Sequence, residues 1–342
     1  MIQELIAKIV DGLDLTEPEM VTAMDEIMSG EATPAQIGSF ITALRLKGET
    51  VDEITGAARV MRKKATKVSI NPANAKDGVI LDVVGTGGDG AKTFNVSTAT
   101  AFVTAGAGIT VAKHGNRAVS SKCGAADVLE NLGVNLNINS SDVERCINEV
   151  GIGFLFAPLF HGAMKYAAGP RKEIGIRSIF NLLGPLTNPA GATVLLLGVY
   201  DMNLTEKIAM VLNKLEIKEA FVVCGEGNLD EISICGPTKI SHVKNGDVST
   251  FEITPEDTGL KKADLKDIEG GDATENAQII KDILDGKHSP KRDMILINAS
   301  AAFVAAGYAK DFKEGVKFGE EIIDLGKAKA KLEELVKFTN SL

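Results

Sequence analysis

The run Leu81-Asp82-Val83-Val84-Gly85-Thr86-Gly87-Gly88-Asp89-Gly90-Ala91-Lys92-Thr93-Phe94-Asn95-Val96-Ser97-Thr98 holds the densest chemistry in this sequence. An apolar stretch enters a glycine-rich loop, and hydroxyl residues then open a helix. Glycines let successive backbone N–H groups converge on one anion. The positive end of the following helix favours the same charge. Asn95, Ser97 and Thr98 add side-chain donors or metal ligands, so the pattern predicts a phosphate cradle. Gly85, Gly87 and Gly90 also satisfy G-x-G-x-x-G, yet a dinucleotide loop runs straight into its helix and has an acidic residue about 20 positions on. Here the next strand ends in Lys113-His114 instead. A nucleotide P-loop is excluded as well, because Ala91 separates Gly90 from Lys92-Thr93.

Three further constellations follow. Lys113-His114-Gly115-Asn116-Arg117-Ala118-Val119-Ser120-Ser121-Lys122-Cys123-Gly124 places three basic residues and two serines in one strand-to-helix loop, which again suits an anion. Two adjacent strands ending in such loops point to a ligand with more than one phosphate, since ligands of open α/β sheets sit outside the carboxyl ends of the strands. Asn228-Leu229-Asp230-Glu231 adds two neighbouring carboxylates at the same sheet end, suited to magnesium escorting a pyrophosphate. The segment from His161 through Arg171 and Arg177 to Pro189 supplies arginines able to clamp a carboxylate with two parallel hydrogen bonds.

These loops need a sheet to hold them. Short apolar runs at 79–84, 109–112, 154–156, 193–200 and 220–224 predict buried parallel strands. Helices are expected between them at 97–106, 124–132, 141–150, 159–168 and 204–215, the third opened by a Ser141-Asp142-Val143-Glu144 capping box. Asn245-Gly246 marks a hairpin turn, and the chain returns to helix from Thr274. Before the sheet, Ile2, Leu5, Ile6, Ile9, Val10 and Leu13 recur at helical spacing. Thr16-Glu17-Pro18-Glu19, Thr33-Pro34 and Thr50-Val51-Asp52-Glu53 then open further helices. The expected fold is a small N-terminal helical domain followed by a large α/β domain, its central sheet mostly parallel and flanked by helices.

Composition agrees with small-molecule chemistry. The chain has 342 residues, 44% of them hydrophobic, enough for a large core. With 37 basic and 46 acidic residues, formal charge −9, and 5% aromatics, it lacks the basic surface and stacking platforms of a nucleic-acid binder. Cys123, Cys146, Cys224 and Cys235 show neither disulfide nor zinc spacing and read as reduced thiols, which places the protein in the cytoplasm. No basic segment leads into a long apolar run near Met1, so a cleaved signal peptide is not expected. The uncharged stretch 93–112 is too polar to span a membrane.

The four constellations, in this order and spacing, resemble those of the anthranilate phosphoribosyltransferase family, and the likeness covers most of the chain. The resemblance implies a small domain at 1–68 with an added helical segment near 174–189, a large domain at 69–342, and a homodimer. It implies transfer of the phosphoribosyl group of 5-phosphoribosyl 1-pyrophosphate (PRPP) to the amine of anthranilate, in tryptophan biosynthesis. PRPP and Mg2+ would lie in the cleft between the domains. Carried over by motif, Gly85, Gly88, Asp89, Thr93, Asn95, Val96, Ser97, Thr98, Lys113, Ser120, Ser121 and Ala125 would contact the donor. Gly85, Asn116 and Arg171 would contact anthranilate, and Ser97, Asp230 and Glu231 would hold the metal. Lys113 and His114 are the expected catalytic groups, the first against the departing charge and the second beside the amine. The chain departs from the family at Cys123-Gly124-Ala125, where Ser-Gly-Ser is common, which removes two hydroxyls near the donor phosphates. The nearest rivals are a pyrimidine nucleoside phosphorylase, which resembles the family in fold, and a non-catalytic relative that binds nucleic acid. Lys113-His114-Gly115-Asn116 and Arg171 argue against the first, and the overall acidity against the second.

Overall fold

The computed structural model of the chain describes residues 1–88, 90–118 and 123–342. It opens with α1 (Ile2–Val10), α2 (Glu17–Ser29), α3 (Pro34–Lys47) and α4 (Val51–Lys64). Three starts are set by local chemistry: the hydroxyls of Thr16, Thr33 and Thr50 accept the N–H of Glu19, Gln36 and Glu53, whose side chains accept the threonine N–H in return. The apolar faces of the four helices, with Met24, Ile27, Phe40, Leu44 and Ile54, merge into one buried cluster.

Strands and helices then alternate: β1 (Ile80–Gly85), α5 (Val96–Gly106), β2 (Thr110–Gly115), α6 (Ala125–Asn131), α7 (Ser140–Val150), β3 (Ile152–Phe156), α8 (Ala157–Phe160), α9 (Lys165–Ile174), α10 (Phe180–Leu183), β4 (Val194–Gly198), α11 (Leu204–Lys214) and β5 (Glu219–Gly225). These strands pair in parallel, and β6 (Thr238–Lys244) and β7 (Asp247–Ile253) complete one edge as an antiparallel hairpin. Asn245 and Gly246 take positive φ of 53° and 86° in its turn, as a two-residue hairpin requires. The strand order is β3-β2-β1-β4-β5-β6-β7. Alternate residues serve opposite layers. Val194, Leu196, Phe221 and Val223 join one core with α5 and the helix Pro290–Ala305, while Leu195, Leu197, Ala220 and Val222 join the cluster shared with α11 and the helical bundle. The chain ends in α12 (Ala273–Leu284), α13 (Pro290–Ala305), α14 (Phe312–Asp324) and α15 (Lys327–Asn340). Among the described residues no helix is long and apolar enough to cross a membrane.

Two expectations are corrected. Helix α7 is capped by Asn139, whose Oδ1 accepts the Asp142 N–H at 3.0 Å, and not by the Ser141 box. Asn is as good a cap as Ser, and the Glu144 carboxylate is taken instead by the Ser69 N–H at 2.7 Å. The single helix expected at 159–168 is broken at His161, which leaves helical geometry at φ −114° and ψ 55°, and α9 begins only at Lys165. That helix packs on α2 and α3, and α10 packs on α4, so the chain rejoins the bundle before residue 174.

Candidate active site

The order of the sheet reverses between β1 and β4, because β2 and β3 add on one side and β4 and β5 on the other. A crevice opens at such a point beyond the carboxyl ends of the strands. There Gly85 and Gly198 lie side by side in register. A Cβ at Gly198 would overlap the Asp230 carbonyl, and one at Gly85 the Asp230 carboxylate. The absence of side chains at both positions lets the turn that follows β5 cross the mouth of the crevice. Asp230 Oδ2 then accepts the Gly87 N–H at 2.8 Å, joining the acidic turn to the glycine loop.

The loop itself bends through Gly87, Gly88 and Gly90, with φ of 65°, 74° and 76°. Arg177 donates to the Gly88 carbonyl, and its guanidinium lies over the Tyr200 ring at 4.5 Å. Thr93 forms an isolated bridge with Glu269, and the Gly270 N–H donates to the Lys92 carbonyl at 2.7 Å. Asn95 caps α5 without a side-chain bond to its own helix. Ser97 sits in the first turn, its Oγ accepting from Lys113 Nζ at 3.1 Å. Val96 and Thr98 are both 1% exposed, and the Thr98 hydroxyl has no hydrogen-bond partner among the described residues. The Thr98 hydroxyl thus keeps its hydrogen uncommitted within the described part of the protein.

Lys113 is buried on β2 and spends a second hydrogen on the Val83 carbonyl at 2.7 Å. Burial pushes its pKa down, while Asp82, Glu231 and Asp230 pull it up, which puts all three carboxylates within electrostatic reach of the ammonium. His114 is buried too. Its N–H donates to Asp82 Oδ1 at 3.0 Å, its Nδ1 lies 3.1 Å from the Gly184 carbonyl, and its Nε2 lies 3.2 Å from Nε2 of His161. A carbonyl only accepts, so His114 carries its proton on Nδ1, and His161 donates to Nε2. Burial, then the neighbouring His161, hold the His114 pKa at about 3. Asp82 is raised to about 6 by burial, against the pull of Lys113 and the amide of Asn188, which donates to Oδ2 at 2.7 Å.

The second anion loop starts at exposed Asn116, whose Oδ1 accepts the Arg117 N–H at 2.8 Å. It closes at Ala125, the first residue of α6. Asp127 Oδ2 ties the two ends together, accepting the N–H groups of Ala118 at 3.0 Å and Gly124 at 2.9 Å. Asp89, Ser120 and Ser121, expected to contact the donor, lie outside the described residues, as do Val119 and Lys122. The Cys123 thiol donates to Asn95 Oδ1 at 3.3 Å, so the position that lacks the serine hydroxyl keeps a donor. Arg171 is on α9 with its guanidinium over the Phe180 ring at 4.9 Å, and burial lowers its pKa.

The structure thus brings Gly85, Gly88, Asn95, Ser97, Lys113, Asp230 and Glu231 to one crevice. It also supplies residues that were given no role from the sequence: Asp82, Asn188 and Asn276. Asp82 carried a readable signal, a lone carboxylate inside an apolar strand. Asn276 carried none beyond the Gly270-Gly271 pair before its helix.

Comparison with known proteins agrees along the whole chain. The model of the helical bundle domain of the glycosyl transferase family matches residues 3–65, and that of the family's a/b domain matches 77–329. An anthranilate phosphoribosyltransferase of Geobacter sulfurreducens is 56% identical over 99% of this chain and 100% of its own length. One of Moorella thermoacetica is 55% identical over 100% of this chain and 99% of its own. The crystal structure of the Thermus thermophilus enzyme superposes with a TM-score of 0.91 at 41% identity, covering 98% of this chain and 99% of that one. The Saccharomyces cerevisiae enzyme in complex with PRPP and Mg gives 0.91 at 32%, covering 100% and 98%. The chain belongs to the anthranilate phosphoribosyltransferase family.

Proposed function

We propose that this chain transfers the 5-phosphoribosyl group of PRPP to the amine of anthranilate, giving N-(5-phosphoribosyl)anthranilate and pyrophosphate for tryptophan biosynthesis. The observation that carries the reading is the junction of the glycine loop, the Lys113–Ser97 contact and the Asp230 turn at the point where the sheet order reverses. A multiply charged phosphate ester is the ligand such a junction serves.

Ser97, Asp230 and Glu231 would hold Mg2+. Their donors are all hard oxygens, and few protein ligands suffice because substrate phosphates complete such a site. When bound, the ion offsets charge on the pyrophosphate. The protein's own part is positioning and electrostatics. Backbone N–H groups of the glycine loop and the α5 terminus bind the phosphates. Lys113 keeps one hydrogen beyond its bonds to Val83 and Ser97, and it opposes the negative charge that grows as pyrophosphate leaves. Arg171, fixed over Phe180, binds the carboxylate of anthranilate, with Asn116 and Gly85 beside it. The aromatic amine is neutral at pH 7: its lone pair forms the bond to the anomeric carbon as the bond from that carbon to the pyrophosphate oxygen breaks. Pyrophosphate leaves with the electron pair, and the surplus amine proton passes to solvent. We read His114 as a positioning group, because both its ring nitrogens are engaged by Gly184 and His161.

We also read residues 1–68, with the segment of about 174–189 and the α9 helix before it, as the small domain, and the rest of 69–342 as the large one. The protein is proposed to work as a cytoplasmic homodimer. Exposed Val10, Leu13 and Leu46 on the helical bundle support a pairing surface there, which sedimentation of the purified chain tests. Incubation with PRPP, anthranilate and Mg2+ should give a product of the mass of phosphoribosylanthranilate. No product from anthranilate, together with phosphorolysis of uridine, would overturn the reading in favour of a nucleoside phosphorylase.

A further inference from the structure

Asn276 stands in the first turn of α12, separated from Asn95 by 181 positions in sequence, and is only 2% exposed. Its Oδ1 accepts the Gly271 N–H at 2.9 Å, and its Nδ2 donates to the Gly271 carbonyl at 3.3 Å. A backbone N–H can only donate and a carbonyl can only accept, so Gly271 dictates which end of the Asn276 amide is oxygen and which is nitrogen. The remaining Nδ2 hydrogen reaches the side chain of Asn95 at 3.1 Å. The atom that receives it must be an acceptor, which makes it Oδ1 and turns the Asn95 NH2 the other way. The Cys123 thiol donates to the same oxygen at 3.3 Å. The Asn95 NH2 itself has no protein acceptor among the described residues.

The surrounding backbone holds this arrangement in place. A Cβ at Gly270 would lie 2.6 Å from the Phe94 Cα, so Glu269-Gly270-Gly271 can sit against the loop only because position 270 has no side chain. The bridge of Thr93 to Glu269 and the bond of Gly270 to Lys92 stitch the two segments together on the side of Asn276.

We propose that Asn276 is a positioning residue for the phosphoribosyl donor: it locks the Asn95 amide with its NH2, not its carbonyl, toward the anion. This rests on the reading of Asn95 as a donor contact. Reversed, the amide would turn an oxygen toward phosphate oxygens, exchanging a charge-assisted hydrogen bond for repulsion. Cys123 shares the task, so the chain's departure from serine preserves a donor to Asn95.

The test is steady-state kinetics of Asn95→Ala, Asn276→Asp and the double variant, with thermal unfolding of each to confirm folding. The carboxylate of Asn276→Asp still accepts from Gly271 but donates nothing to Asn95. It should raise the KM for PRPP roughly tenfold or more, leave the KM for anthranilate unchanged, and add little to Asn95→Ala. Unchanged PRPP KM in Asn276→Asp, parallel rises in both KM values, or effects that multiply in the double variant would overturn the proposal alone. Unchanged PRPP KM in Asn95→Ala would overturn the donor role of Asn95 and the proposal with it. Should Asn276→Asp fail to fold, Cys123→Ala is expected to raise the PRPP KM by roughly two- to threefold and Cys123→Ser to restore it. Equal values for those two variants and the unmodified protein would contradict the lock.

Discussion

The Nε2 atoms of His114 and His161 meet at 3.2 Å inside the protein, with the Gly184 carbonyl fixing which ring donates. A proton on His114 Nε2 would set two donors face to face, and a charge on either ring would be buried away from water. His161 is accordingly held at about 4 by burial and by nearby Lys67, and His114 at about 3, both below the ordinary 6.5. In the unfolded chain both rings take up protons below about 6.5, while the folded protein resists until about 4 or lower. The unfolded state therefore binds more protons in that window, and stability falls as pH falls through it.

Asp82 works in the opposite sense. Raised to about 6 from 3.8, it favours the folded state at low pH and loses that contribution as pH rises through 6. Two rings outweigh one carboxylate, so the melting temperature should drop between pH 6.5 and 4, and His161→Phe should make the drop shallower. Equal slopes in the two proteins would show that the pair does not titrate this way. Over pH 6 to 9, log kcat/KM should show no inflection traceable to His114.

Gly198 tests how the acidic turn is carried. A Cβ there strikes the Asp230 carbonyl, which is backbone and cannot swing aside. Gly198→Ala should destabilise the fold by about 1–3 kcal/mol through overpacking. It should also raise the Mg2+ concentration needed for half-maximal activity, because the carboxylates ride on the displaced turn. A normal melting temperature with a normal Mg2+ titration would mean that the crossing seen here is not maintained in solution.

The metal assignment has its own check. Asp230→Asn combined with Glu231→Gln removes two carboxylate ligands while keeping their size, and should raise the Mg2+ requirement steeply. An unaltered Mg2+ dependence would remove both residues from the site.

What was readable in the sequence was mostly local. The glycine loop, the threonine caps of α2, α3 and α4 and the Asn245-Gly246 hairpin are each decided within a few residues, and each forms. The Ser141 box failed because Asn139, two residues earlier, competes for the same role and Glu144 is drawn to Ser69. The helix break at His161 was hidden for a different reason: its partner His114 lies 47 residues away, and no window along the chain contains both. Distance also concealed the Asn188–Asp82 contact across 106 positions and the Asn276–Asn95 contact across 181. The residues proposed to face the ligand could be named from the sequence, and the groups that orient them became visible only through the fold.

The central claim is that one chain joins PRPP to anthranilate, with Arg171 reading the acceptor. Loss of anthranilate fluorescence and release of pyrophosphate, followed together in the purified protein with Mg2+, test it most directly, with Arg171→Ala in parallel. The two signals should change in equal amounts, and Arg171→Ala should raise the anthranilate KM by roughly ten- to a hundredfold while the PRPP KM stays nearly constant. Fluorescence that does not fall, pyrophosphate released without it, or an anthranilate KM indifferent to Arg171→Ala would contradict the account.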